Sequence, residues 1–374
     1  LTASDAAAAD EFGFSVAIDA DRILIGAPEN DDSGSNSGSA YLFERNEGGP
    51  DFWGEKKKLT MTGATSNDSF GNDVDIDGDR LVIGAKDDEY LAVSDMGTAH
   101  VFDKDEGGVD NWGQVATVYP SDLQNQEDFA FSVALSGDHV VCGMPLGDLQ
   151  GGDCGGWYHY QKGVLSDWTE EITILGVDGQ AHDELGPSVA IDGDRAIVGV
   201  RYADPKGSQS GKALFFEKDM SGVWQQVAEV FPENGAVSDL FGSSVDISGD
   251  RAVVGAPNYG NLGAVFMYER TMSGWDLDTS IVETSSSFGE YLGASVAIEG
   301  DMILAGDAPW NISTFNNGSV SVLMRNPVDG EWNRYHRLTH PGGAYGFGCS
   351  VDFEADGSGD NIIAVIGRLN TPNG

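Results

Sequence analysis

A seven-residue phrase recurs seven times along the chain, and that recurrence limits the possible folds more than any other feature. It reads Phe12-Gly-Phe-Ser-Val-Ala-Ile, Phe70-Gly-Asn-Asp-Val-Asp-Ile, Phe129-Ala-Phe-Ser-Val-Ala-Leu and Leu185-Gly-Pro-Ser-Val-Ala-Ile. It continues as Phe241-Gly-Ser-Ser-Val-Asp-Ile, Leu292-Gly-Ala-Ser-Val-Ala-Ile and Phe347-Gly-Cys-Ser-Val-Asp-Phe. The repeats therefore start near 12, 70, 129, 185, 241, 292 and 347, and a fixed period of this kind signals one supersecondary unit copied along the chain.

Each phrase leads into an apolar run closed by glycine, as in Ile23-Leu24-Ile25-Gly26, Leu81-Val82-Ile83-Gly84 and Val140-Val141-Cys142-Gly143. A tight turn separates the two apolar runs: Asp19-Ala20, Asp77-Gly78, Ser136-Gly137, Asp192-Gly193, Ser248-Gly249 or Glu299-Gly300. A small residue that accepts positive φ between β-branched runs is a hairpin signal. A third run follows a further glycine, as in Gly38-Ser-Ala-Tyr-Leu-Phe and Gly263-Ala-Val-Phe-Met-Tyr. A fourth opens on tryptophan with an apolar residue six positions on: Trp53/Leu59, Trp112/Val118, Trp168/Ile174, Trp224/Val230, Trp275/Ile281 and Trp332/Leu338. In a regular strand an even separation puts both members on one face.

Four antiparallel strands per unit, repeated radially, make a propeller blade. The expectation is an all-β, single-domain, seven-bladed β-propeller of four-stranded antiparallel blades spanning residues 1–374. The fourth-run apolar residue precedes the next leading Phe or Leu by the same interval in five repeats, and Leu1 precedes Phe12 by that interval too. Residues 1–4 thus read as an orphan fourth strand that completes the last blade and joins the chain ends. The seventh repeat stops after its second strand near Gly367, so that blade is expected to be incomplete here and the natural chain to continue past Gly374.

The units resemble FG-GAP repeats, the repeat type of the integrin α-subunit headpiece propeller. The resemblance rests on Phe12-Gly13 with Gly26-Ala27-Pro28 and on Phe241-Gly242 with Gly255-Ala256-Pro257, with weakened forms such as Gly84-Ala85-Lys86 elsewhere. It implies cell adhesion, a ligand on the face with the longer loops, and calcium in an acidic loop between the first two strands. Six of the seven first hairpins are too short for that loop. The seventh offers Asp352, Glu354, Asp356 and Asp360 around Gly357, and alternating oxygen ligands at a glycine turn suit Ca²⁺; the other reading is a plain acidic turn.

Charge narrows the partners. The chain carries 61 acidic and 20 basic residues, a formal net charge of −41. Such a surface repels phosphate backbones and anionic headgroups, which argues against nucleic acid and against direct membrane insertion, and favours divalent cations or basic partners. No apolar run approaches the roughly 18 residues of a membrane-spanning helix. The chain begins at Leu1 without a signal peptide, as a processed or trimmed protein would. Cys142, Cys154 and Cys349 allow at most one internal disulfide; a Cys142–Cys154 bridge stays open, and Cys349 reads as a buried small hydrophobe.

Candidate contact residues are aromatics in the long loops of repeats five to seven: Tyr259, Phe288, Tyr291, Trp310, Phe315 and Tyr345. Each either anchors a partner or packs beneath its own loop. Asn67, Asn311 and Asn317 open N-glycosylation sequons, which count if the protein is secreted. Asp75, Asp246 and Asp352 replace alanine in three inner strands, where they either line a central channel with a cation or water, or cap backbone donors. Arg22, Arg80, Arg195 and Arg251 follow the hairpin turns and read as inter-blade ion pairs. The histidines (His100, His139, His159, His182, His336, His340) show no metal-ligand spacing, and no nucleophile elbow or phosphate loop occurs. The leading expectation is a non-catalytic, extracellular or cell-surface binding and adhesion module with a protein or glycan ligand. The alternatives are a structural subunit of an extracellular filament or matrix, whose loops meet neighbouring copies, and a carbohydrate-active enzyme.

Overall fold

A computed structural model describes residues 1–7, 9–121, 127–147, 152, 154–163, 167–175, 182–284, 291–308, 318–340, 346–355 and 362–368, with side chains omitted at 172–175. The fold is an all-β propeller of four-stranded antiparallel blades. The first blade comprises β1 (Val16–Asp19), β2 (Arg22–Ala27), β3 (Ser39–Arg45) and β4 (Trp53–Leu59). The second holds β5 (Phe70–Asp77), β6 (Arg80–Ala85), β7 (Thr98–Asp103) and β8 (Gly113–Val118), and the third β9 (Ser132–Ser136), β10 (His139–Met144), β11 (Gly156–Lys162) and β12 (Trp168–Leu175). The fourth holds β13 (Leu185–Asp192), β14 (Arg195–Val200), β15 (Lys212–Lys218) and β16 (Trp224–Val230). The fifth holds β17 (Ser244–Ser248), β18 (Arg251–Ala256), β19 (Ala264–Thr271) and β20 (Gly274–Val282), and the sixth β21 (Ser295–Glu299), β22 (Met302–Gly306), β23 (Val320–Arg325) and β24 (Trp332–Leu338). The last sheet has two strands only, β25 (Val351–Ala355) and β26 (Ile362–Ile366). Six sheets are complete four-stranded blades rather than the expected seven, and beside them stands this two-stranded sheet. No helix among the described residues is long and apolar enough to cross a membrane.

The two halves of the repeated phrase touch across the blade gap. A Cβ on Gly26, which ends the second strand, would lie 2.0 Å from the carbonyl oxygen of Gly71, the glycine after Phe70 in the next blade. The same clash would occur for Gly84 on Ala130 (2.5 Å), Gly143 on Gly186 (2.0 Å), Gly199 on Gly242 (2.0 Å), Gly255 on Gly293 (2.1 Å) and Gly306 on Gly348 (2.1 Å). Gly367, beyond β26, meets Gly13 of the first repeat in the same way at 2.2 Å. Only glycine fits where two backbones approach this closely. The preceding Phe fills the gap: Phe70, Phe129 and Phe241 are fully buried, edge-on to Phe102, Tyr158 and Phe266 of their own blades.

Apolar clusters fill each gap, including one where Val365 and Ile363 of β26 pack with Ala3, Val16, Ile18 and Ile23. First strands neighbour one another around the axis, and β25 lies beside both β21 and β1. Residues 1–3 are not assigned as a strand, a departure from the expected orphan strand. They nevertheless occupy the outer-strand exit position. Ser4 N–H and Oγ–H donate to Glu55 (2.7 and 2.8 Å), just as Thr62 N–H donates to Gln114 one blade on and Ser121 to Glu170 two blades on.

Two details overturn simple pattern reading. Every fourth strand carries a β-bulge, seen where Leu42 pairs with Lys57 but Phe43 with Glu55, and repeated in the other five blades. The extra residue reverses the face, so in the described pairs the Trp and its apolar partner point into different gaps: Trp112 packs against the first blade and Val118 against the third. The hairpin turn is also displaced by one residue. Asp19 pairs with Arg22, Asp77 with Arg80 and Asp192 with Arg195, so the two turn residues are Ala20-Asp21, Gly78-Asp79 and Gly193-Asp194, with positive φ on the first. Cys142 and Cys154 are buried free thiols, which removes the disulfide; Cys349 is half-buried.

Candidate functional site

Inner strands run side by side from the face carrying the long loops towards the face carrying the tight turns, so like positions form layers around the axis. Nearest the long-loop mouth lie Ser15, Asp73, Ser132, Ser188, Ser244, Ser295 and Ser350. Asp73 accepts from Ser15 Oγ (2.7 Å) and Val133 N–H (2.8 Å), while burial pushes its carboxyl up to about 6.

The next layer holds Asp75, Asp246 and Asp352. One carboxylate oxygen of each accepts from the next residue of its own strand, and the other accepts from the neighbouring blade: Leu135 N–H (2.7 Å), Ile298 N–H (2.6 Å) and Ile18 N–H (2.8 Å) respectively. The last bond ties the two-stranded sheet to the first blade. Of the two readings open from sequence, capping of backbone donors is the one these contacts realise. Desolvation in the channel wall, and secondarily the mutual repulsion of the three carboxyls, raises Asp246 to about 7 and Asp352 to about 8, with Asp75 also well above the usual range.

Around the turn face the arginines form the expected inter-blade links. Arg22 donates to Gly78 O and pairs with Asp79 (3.1 Å); Arg80 does so with Gly137 and Asp138, Arg195 with Gly249 and Asp250, and Arg251 with Gly300 and Asp301. His100 and His159 are buried, and loss of solvation pushes both down to about 3, so they are neutral packing groups at physiological pH.

The axial channel widens towards the long loops into a cavity of about 310 Å³, lined among others by Phe14, Asp73, Lys86, Phe131, Arg201 and Cys349. Lys86 pairs with Asp87 (2.7 Å); Arg201 lies over the Phe131 ring (5.8 Å) and holds Glu184 (2.6 Å). The residue just before each phrase adds a rim of carboxylates at Glu11, Asp128 and Glu184. Burial, then the neighbouring Glu29, raises Glu11 to about 7. Burial, partly opposed by Lys86 and reinforced by Asp87, Asp95 and Glu184, raises Asp128 to about 6. Sequence reasoning missed both Asp73 and this rim. Its members flank the repeated phrase, and only the fold reveals that Asp128 lies within the field of Glu184.

Of the expected contact aromatics, Tyr259 packs edge-on against Phe266 (5.2 Å) beneath its own loop, and Tyr291 is half-buried at the position preceding Leu292. Phe288, Trp310, Phe315 and Tyr345 lie outside the described residues, as do Asn311 and Asn317; Asn67 is exposed in the crossing from the first blade to the second. Of the calcium set, Asp352 and Glu354 belong to β25, and Asp352 is committed to two backbone donors; Asp356 and Asp360 lie outside the described residues. Among the described residues no group of three His, Cys, Asp or Glu is arranged to hold a metal ion.

Two solved structures share the fold at identities too low to carry function. A protein from Lactobacillus plantarum has 14% identity over 88% of this chain and 85% of that one, with a TM-score of 0.57. A putative 6-phosphogluconolactonase from Bacteroides uniformis has 13% identity over 92% of this chain and 88% of that one, with a TM-score of 0.59. No curated protein matches the chain. The FG-GAP repeat model matches residues 1–43, 53–102, 112–160, 168–216 and 224–268, well over half the chain. Four of these segments run from an outer-strand tryptophan to the third strand of the following sheet, so each carries one member of the close backbone contact on either side of its blade. On that match and that contact, the chain belongs to the FG-GAP repeat family.

Proposed function

We propose that this chain is a non-catalytic binding and adhesion module that works outside the cell and takes a basic protein ligand on its long-loop face. The acidic rim carries the reading. Glu11, Asp128 and Glu184 each immediately precede a repeated phrase whose residues line the axial cavity, in a chain of net charge −41, and two of these carboxyls are held above their usual range by burial and by like-charged neighbours. A ligand ammonium or guanidinium at the mouth would relieve that repulsion, and the overall field would steer it there. The cavity is at the lower end of the size range of small-ligand sites, enough for one side chain and its surroundings.

The rim needs a rigid support, and we take the two-stranded sheet to be the inner half of a seventh blade in a closed ring. The Gly367–Gly13 approach, the Asp352–Ile18 bond and the Ser4–Glu55 pair each repeat a contact made between complete blades. A rim on such a ring loses little freedom on binding.

The test is selection from a bead-displayed peptide library of mixed charge. Bound sequences should be rich in Lys and Arg, and a Glu11→Gln/Asp128→Asn variant should capture at least tenfold less. Met220→Ser, at a fully exposed loop tip between the third and fourth strands on the opposite face, should bind as the parent does. Selection of neutral or acidic peptides, or loss of binding only in the Met220 variant, would refute the reading.

A further inference from the structure

We infer that the gap between the third and fourth blades is an acid-sensitive seam, opened by protonation of the stacked pair His139 and His159. Both histidines depart from the repeat. In the gaps after the first, second, fourth and fifth blades, an arginine opening the second strand bonds the next blade's turn carbonyl and pairs with the aspartate after it. Arg22 and Arg80 also lie over the next outer-strand tryptophan, Trp112 and Trp168, each at 5.3 Å. His139 holds the arginine position in β10. Among the described residues it makes neither counterpart contact, to Gly193 O or to Asp194. Its Nδ1 instead meets His159 Nε2 at 2.9 Å, with the two rings stacked.

His159 is fully buried in β11, opposite Val141. The same register position holds Leu42, Val101, Phe215, Met267 and Val322 in the other complete blades. Its ring meets Trp224 of the fourth blade edge-on at 5.2 Å, where Phe215 stacks on Trp275 at 4.3 Å one gap on. Trp224 is buried, and its indole N–H has no hydrogen-bond partner among the described residues. The seam is therefore closed by neutral imidazoles at two positions where other gaps use a permanent cation and an apolar side chain.

The charges around the pair set the sign of the response. On the third blade, Asp138 precedes His139, and Glu171 of β12 faces His159 Nδ1 at 3.4 Å. On the fourth, Asp194 lies in the opposite turn, and Lys218 of β15 pairs with Glu171 (3.3 Å) and covers the Trp224 ring (5.4 Å). Asp138 and Asp194 are exposed, so water and salt screen their pull, whereas Lys218 is buried against the seam and opposes a second cation. A hydrogen bond between two ring nitrogens needs a lone pair on one of them, and two imidazoliums would meet donor to donor. Desolvation, then Lys218 and His139, pushes His159 down to about 3; desolvation, then Lys218, also lowers His139.

The closed seam excludes protons that the open seam accepts. Closure is thus strongest above the ordinary histidine value of 6.5 and weakens as pH falls below it. His159 alone should raise the open population roughly 20-fold from pH 7 to pH 5. Over the same interval Asp246 and Asp352 bind protons more tightly folded than unfolded, so acid loosens this one gap while favouring the ring as a whole.

The experiment follows indole N–H exchange by NMR in the intact chain carrying isotopically labelled tryptophan. Trp112 is the internal reference: it is also buried, its N–H also lacks a partner among the described residues, and its gap carries Arg22. The expected result is a Trp224-to-Trp112 exchange ratio that rises roughly 20-fold from pH 7 to pH 5. In His159→Phe, which copies Phe215, the ratio should stay flat; His159→Met, which copies Met267, replaces that variant if it does not fold. A flat ratio in the parent, or an equal rise in the variant, would overturn the seam. So would a falling ratio, the result expected if a charged His139 clasps Asp194 as the arginines clasp their aspartates.

Discussion

Replacing Asp352 by alanine should change how stability depends on pH more than it changes stability itself. The site accepts the smaller residue, since Ala17, Ala134, Ala190 and Ala297 hold the same place in other repeats. In the folded chain, burial and then the charges on Asp246 and Glu354 raise the Asp352 carboxyl from 3.8 to about 8. A raised carboxyl binds its proton more tightly folded than unfolded, so its contribution to stability is complete at low pH and is lost as pH rises towards 8. Between pH 5 and 7 the folded state holds about one extra proton at this residue, which makes the slope about 1.4 kcal/mol per pH unit, or roughly 3 kcal/mol across the interval. Alanine removes that slope and also leaves Ile18 N–H without its acceptor, at a pH-independent cost of about 1–2 kcal/mol. Urea denaturation from pH 5 to 8 should therefore give curves that converge or cross: the variant weaker at pH 5, and equal or stronger at pH 8. Parallel curves separated by a constant offset would refute the buried-acid reasoning and leave Asp352 as a hydrogen-bond acceptor alone.

Other substitutions test other levels of the account. Gly26→Ala drives a Cβ into Gly71 O and should cost several kcal/mol or prevent folding, whereas Gly137→Ala, with open space around it but a positive φ, should cost about 1 kcal/mol in urea denaturation. Ala20→Gly should stabilise by about 0.5–1 kcal/mol, because Ala20 is exposed at φ 52 where the corresponding turns of the next five repeats have glycine. Arg22→Ala removes the bond to Gly78 O, the Asp79 pair and the cover over Trp112, and should lower the unfolding midpoint by the equivalent of about 1–2 kcal/mol. Only part of that loss should persist at high salt, where the exposed Asp79 pair is screened.

The repeat made the architecture legible because the same compromise between tight turns, β-branched cores and glycine contacts is written again and again. The reading of residues 1–4 as an outer strand, made from the spacing of Leu1 and Phe12, is not met by a strand there. The bulge could not be read, since no glycine or proline marks it and the interval from Trp53 to Leu59 looks like a regular strand; packing in two different gaps decides it. The turn offset escaped for a similar reason: Asp77-Gly78 and Gly78-Asp79 overlap, and only the Asp77–Arg80 pairing selects the second. The acidic rim was hidden because Glu11, Asp128 and Glu184 are far apart in the chain, and Asp128 and Glu184 come within each other's field only when the blades assemble. The roles of Asp75, Asp246 and Asp352 were visible as alternatives, and Leu135, Ile298 and Ile18 N–H choose between them.

The central claim is that the chain closes on itself, with β25 inserted between β21 and β1. A crystal structure viewed along the propeller axis tests it most directly. The account predicts seven sheets around the channel, the seventh only two strands wide, with residues 351–355 beside 16–19 and Ser4 on Glu55. A ring that closes β21 directly onto β1, with residues 351–366 displaced from the axis, would contradict it.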